Sequence, residues 1–113
     1  MKKVLLLVIL AIALPLVLQA EVWKNAALVD SMCVSKEAVK SNPDSHTTKC
    51  AIQCQKSGYG ILGADGSFLK FDAAGNEKAA AALKATQKTD HLRATVEGEK
   101  KGNEIAVTSL TLD

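Results

Sequence analysis

The chain has 113 residues, with 14 Lys and Arg against 12 Asp and Glu, and three cysteines. The excess of two positive charges is Lys2 and Lys3 alone. Residues 21–113 are therefore formally neutral and lack the basic footprint of a nucleic-acid binder. That length supports one small domain, and three cysteines are too few for a disulfide-built scaffold, so the domain needs an ordinary core.

The N-terminus reads MKKVLLLVILAIALPLVLQA. A short positive stretch, an apolar run from Val4 to Leu18 and the small residue Ala20 have the order of a secretory signal peptide. The run is shorter than the roughly 20 apolar residues a membrane-spanning helix needs. We expect residues 1–20 to be a signal peptide and residues 21–113 to be one periplasmic or secreted domain, off the membrane after cleavage. No polybasic or lipidation signal marks a membrane partner.

In chain order, the middle of Val22–Met32 reads as a first strand ending near Cys33. Ser35–Ser45 is polar, and Asn42, Pro43 and Asp44 punctuate it as a loop. A short helix follows over about 46–57, with Thr47 or Thr48 as its cap and Gly58 as its stop. Tyr59–Leu62 and Ser67–Phe71 read as strands, joined by a hairpin turn at Ala64, Asp65 and Gly66. Asn76 is the expected N-cap of an alanine-rich helix. Leu92, Ala94 and Val96 alternate with polar residues as a half-buried strand. Ile105 and Val107 have the opposite parity to Leu110 and Leu112, which calls for a bulge near Thr108 and Ser109 or for cover on both faces.

The fold class expected is mainly β with two short helices. Five strands with a helix between the third and fourth have the order of a small OB-like antiparallel barrel. The cysteine helix is then an insertion between strands one and two. A twisted antiparallel sheet with two helices on one face is the alternative.

The stretches LVDSMC at 28–33, HTTKCAIQC at 46–54, GYGILGADGSFLKFDAAGN at 58–76 and LRATVEGE at 92–99 resemble an uncharacterised family of small exported bacterial proteins. That family combines a DxxC motif, a His-and-Cys helix and an OB-like strand order. The resemblance implies that Asp30, Cys33, His46, Cys50 and Cys54 belong together in a small barrel. It implies no activity.

His46, Cys50 and Cys54 recur every four residues, the spacing of one helical face. With Cys33 they offer three sulfurs and one nitrogen, a set suited to zinc or Cu(I). The competing reading is a disulfide from Cys33 to a helix cysteine, to Cys50 first and Cys54 as the alternative. The spare thiol would be buried, or would join two copies of the chain as a homodimer. Asp30 and His46 could form a carboxylate–histidine pair, but no serine or activated cysteine is placed to complete a triad. No catalytic residue and no organic cofactor site is expected. Phe68 and Phe71 read as core, and His91 as an exposed strand-opener. The function expected is an exported binding or interaction module stapled by a disulfide. The alternative is a thiol- or metal-dependent protein using Cys33, His46, Cys50 and Cys54.

Overall fold

The computed structural model describes residues 20–113; the expected signal peptide lies outside the described residues except for Ala20. The strands are β1 (Glu21–Asp30), β2 (Tyr59–Leu62), β3 (Phe68–Phe71), β4 (Arg93–Lys101) and β5 (Glu104–Leu112). The helices are α1 (Glu37–Ser41), α2 (Thr48–Gln53) and α3 (Ala73–Ala85), with 3-10 turns at Cys33–Ser35, Pro43–Ser45 and Gln55–Ser57.

The strands close into a barrel in the order β1-β2-β3-β5-β4. The β1–β2, β2–β3, β1–β4 and β4–β5 pairs are antiparallel. The closing pair is not: β3 runs parallel to β5, with Lys70 opposite Glu104 and Phe71 opposite Ile105. The fold is a small OB-like barrel of mixed pairing, which corrects the expectation of a wholly antiparallel one. The cause is α3, which carries the chain across the barrel before the last hairpin. A crossover of this length is what a parallel pair requires.

The Asp65–Gly66 hairpin forms as the turn residues dictate. Gly63 donates to Ser67 O at 2.8 Å, and Gly66 takes φ 84°. The parity conflict in β5 resolves as a bulge. Glu97 pairs with Ser109 but Gly98 pairs with Val107, so Thr108 is the extra residue. Leu110 and Leu112 thereby turn to the same side as Ile105 and Val107 and pack against the core.

Helix α3 starts earlier than expected. Asp72 is its cap, accepting from Gly75 N–H at 2.9 Å. Asn76 lies within the first turns, and its side-chain oxygen accepts from Tyr59 N–H at 2.8 Å instead. Ala79, Ala80 and Leu83 bury the helix against the barrel core of Leu28, Tyr59, Ile61, Phe71, Val96 and Ile105. Gly75 allows this close approach: a Cβ there would stand 2.5 Å from Val107 Cγ2 and 2.7 Å from Phe71 Cβ.

The insertion between β1 and β2 is more structured than its polar composition indicates. α1 forms inside the expected loop because Val39 has a place to go. It is buried with Ala27, Val29, Cys33 and Leu62 in a second apolar cluster, so the end of β1 is covered on both faces. The cysteine helix is also shorter than 46–57. α2 stops at Gln53, and Cys54 leaves helical geometry at φ −97°, ψ 20° before a 3-10 turn.

Candidate functional site

The DxxC spacing has a local cause. At the end of β1 the chain turns into the 3-10 segment, leaving the Cys33 N–H free. Asp30 Oδ2 accepts it at 2.9 Å, the same service an N-cap carboxylate gives a helix. The other carboxylate oxygen reaches His46, whose Nε2 lies 2.7 Å from Oδ1. A carboxylate only accepts, so the imidazole Nε2–H is the donor. Asp30 is fully buried, and His46 and Cys33 are each 5% exposed. The expected carboxylate–histidine pair is thus formed, and His46 is no solvated loop residue.

His46 is delivered by the turn at Pro43–Ser45, where its N–H donates to Pro43 O at 3.1 Å. Two residues earlier Asp44 grips Arg93 of β4 through both carboxylate oxygens, at 2.8 and 3.1 Å. The Arg93 guanidinium holds the Asp44 carboxyl below the usual carboxylate range. Thr48 then ties α2 to the segment after α3, donating from Oγ1 to Lys88 O and from N to Thr89 O. The insertion is therefore anchored to the barrel at several independent points.

The three thiols separate. Cys33 is buried, Cys54 is half-buried and Cys50 is exposed, and all three are free. Cys33 and Cys54 approach to 4.1 Å. The pairing of Cys33 with Cys50 is not what this geometry prepares; the neighbour is the alternative, Cys54. Donor atoms of Asp30, Cys33 and His46 lie within 4.8 Å of one another, all on buried residues. The set of three sulfurs and one nitrogen expected from spacing thus changes membership: Asp30 joins Cys33 and His46, and Cys50 faces solvent. Burial, the adjacent Asp30 carboxylate and Cys54 push the Cys33 thiol up to about 12. It remains protonated at neutral pH and is unsuited to act as a nucleophile, since the thiolate is the reactive form.

A second feature lies at the other end of β1. A cleft of about 460 Å³ opens at the rim of the barrel. Trp23, Ala26, Ile61 and Leu69 give it an apolar floor, and Lys24 and Arg93 are its charged lining, with no carboxylate among the lining residues. A break in register between Trp23 and Ala26 shapes it. Asn25 there takes φ 51°, a left-handed conformation that asparagine tolerates better than most residues. Arg93 Nη1 donates to Asn25 O at 3.2 Å and so fixes the bulge. Sequence reasoning placed no binding residue in this cleft. Only the Asn within an otherwise strand-like run hinted at the bulge. His91 is exposed, at φ 51°, and its ring contacts Asp90.

Among the described residues no helix is long and apolar enough to cross a membrane. Comparison with family models, with curated proteins and with solved structures returns no match.

Proposed function

We propose that this chain is an exported, non-enzymatic binding module whose ligand seat is the cleft at the barrel rim. The observation that carries this reading is the cleft's make-up: an apolar floor under Trp23 with two cationic residues and no carboxylate in its lining. Its volume falls in the roughly 300–1,000 Å³ range of small-molecule sites. Such a surface suits a small amphipathic ligand, with a ring or chain over Trp23 and Leu69 and an anionic end toward Lys24. The raised Cys33 thiol favours binding over thiol catalysis.

The staple of this module is a disulfide between Cys33 and Cys54. It forms by exchange with a disulfide donor, which takes up the two electrons and two protons the thiols lose. Closing the intervening loop is worth about 3 kcal/mol in the chain-entropy model, a large share of a typical net stability of about 5–15 kcal/mol. Cys50 is the spare thiol and would link two copies where a homodimer forms. The N-terminal signal sequence and the resemblance to small exported bacterial proteins belong to the same reading.

Trp23 is the chain's one tryptophan, so the test reads directly from the cleft. Anilinonaphthalene sulfonate, an aromatic anion, is titrated into the folded mature protein while Trp23 emission is followed. Saturable quenching that is lost in Leu69→Lys supports the seat. Absence of a signal, or binding unchanged by Leu69→Lys, refutes it.

A further inference from the structure

We propose that Asp30, Cys33, His46 and Cys54 form a zinc site in the reduced protein. The four donors are one carboxylate oxygen, one imidazole nitrogen and two sulfurs. Calcium and magnesium want all-oxygen shells of six or more ligands, and this set supplies one carboxylate. Cu(I) favours thiolates and has little use for a carboxylate. Zinc takes four ligands in a tetrahedron and accepts Cys sulfur, His nitrogen and Asp or Glu oxygen among them.

Three of the donors already cluster, and the fourth, Cys54, stands beside Cys33 and must swing toward Asp30 and His46 to close the set. With Zn–S near 2.3 Å and Zn–N and Zn–O near 2.0–2.2 Å, tetrahedral edges are about 3.8 Å between sulfurs and about 3.3 Å between nitrogen and oxygen. Cys33 and Cys54 already stand 4.1 Å apart. The Asp30, Cys33 and His46 donors lie within 4.8 Å of one another. Asp30 Oδ1 and His46 Nε2, at 2.7 Å, would part by roughly half an ångström to admit the ion between them.

The proton balance is simple. Both thiols release their protons to solvent on binding, because the metal ligand is the thiolate. The imidazole keeps one proton, moved from Nε2 to Nδ1, so that Nε2 offers its lone pair. The backbone is prepared as well: the Cys33 N–H already holds Asp30 Oδ2 at 2.9 Å. The site shares its two sulfurs with the proposed disulfide, so the two states exclude each other. Zinc belongs to the dithiol form, and oxidation by a disulfide donor removes half the ligands.

This inference does not rest on the rim cleft, which contains none of these residues. The test uses the mature protein, fully reduced under inert gas. Zn²⁺ is titrated in competition with a chromogenic chelator, and Co²⁺ serves as a coloured substitute. The expected result is one ion per chain, a sulfur-to-cobalt charge-transfer band and tetrahedral d–d absorption. Cys54→Ser, at a half-buried position that keeps the fold, should weaken binding by more than the ~10–100-fold cost of losing a second-shell partner. Cys50→Ser should bind as the wild type does, and excess Mg²⁺ should not compete. Oxidised wild type should bind no ion. The proposal is overturned if reduced protein takes up neither ion, if Cys54→Ser binds unchanged, or if binding depends on Cys50.

Discussion

Asp30 is the residue whose replacement tests the organisation of the insertion most directly. Its carboxylate is fully buried and makes two hydrogen bonds, one to His46 Nε2 at 2.7 Å and one from Cys33 N–H at 2.9 Å. Asp30→Ala removes both at once and leaves two buried donors without partners. Each buried donor left unsatisfied costs about 1–3 kcal/mol. Asp30→Asn behaves differently. Its amide oxygen can still take the Cys33 N–H, and its NH2 group can donate to Nε2 if the imidazole moves its proton to Nδ1. Both bonds survive as neutral ones. The loss is then the difference between bonds to a charged group, about 1.5–3 kcal/mol, and ordinary ones, about 0.5–1.5 kcal/mol. We expect Asp30→Asn to cost roughly 1–2 kcal/mol and Asp30→Ala at least twice that. Urea unfolding of the reduced, metal-free proteins measures both from their midpoints and slopes. A cost below about 1 kcal/mol for Asp30→Ala would refute the anchoring role. Equal costs for the two variants would refute the tautomer argument.

Gly75→Ala sets two effects against each other. Helix propensity favours alanine by about 1 kcal/mol, but the new Cβ meets Val107 at 2.5 Å, and such overpacking costs about 1–3 kcal/mol. We expect net destabilisation in thermal melts, with the exposed control Ala81→Gly losing about 1 kcal/mol from propensity alone. Burial, followed by the Asp30 and Cys54 charges, raises the Tyr59 hydroxyl from 10.0 to about 12. A raised folded value means that this stability is intact below pH 10.0 and is lost as pH climbs toward about 12. Tyrosinate absorbance of this single tyrosine should titrate late and together with unfolding. Titration at the free-tyrosine value in folded protein would contradict the Ala51 O hydrogen bond at 2.8 Å. Asp44 is lowered by Arg93, so the pair's contribution is present above about pH 3.8 and is lost as pH falls through the depressed value. Both side chains are about a third exposed, so Asp44→Asn should cost under about 1 kcal/mol at neutral pH, read by denaturant midpoints, and should flatten the acid limb.

The parts of the fold legible in the sequence are those set by strict local rules. The Asp65–Gly66 turn is one, and the bulge at Thr108 is another, because Leu110 cannot share a face with Val107 without it. The parts that escaped depend on distant packing. α1 is a polar pentapeptide stabilised by one buried valine, whose partners Ala27 and Leu62 are far away in sequence. Asn76 resembles a cap but satisfies Tyr59 N–H, and only the fold shows that Asp72 is the nearer and better placed acceptor. The site was legible as a set of residues and not as a geometry. Four-residue spacing places Cys50 and Cys54 on one face only if the helix continues. α2 has six residues and ends just before Cys54, so Cys54 turns toward Cys33 while Cys50 remains in solvent.

The two features of this molecule sit at opposite ends of one strand. Val22–Ala26 at the start of β1 border the cleft, and Asp30 at its end holds His46 and Cys33. At about 3.3 Å per residue, Trp23 and Asp30 are separated by roughly 20 Å along the strand. Neither site touches the other, yet a short physical route joins them. The turn that presents His46 also presents Asp44, Asp44 holds Arg93, and Arg93 holds the Asn25 carbonyl that shapes the cleft. Arg93 is thus both a wall of the cleft and the clasp on the insertion. A lysine there could not grip Asp44 through two oxygens while also reaching Asn25 O, because its single ammonium lacks the planar fork of the guanidinium. The insertion and the rim therefore share one support, and the position of the bulge depends on residues 42–46 as much as on β1 itself.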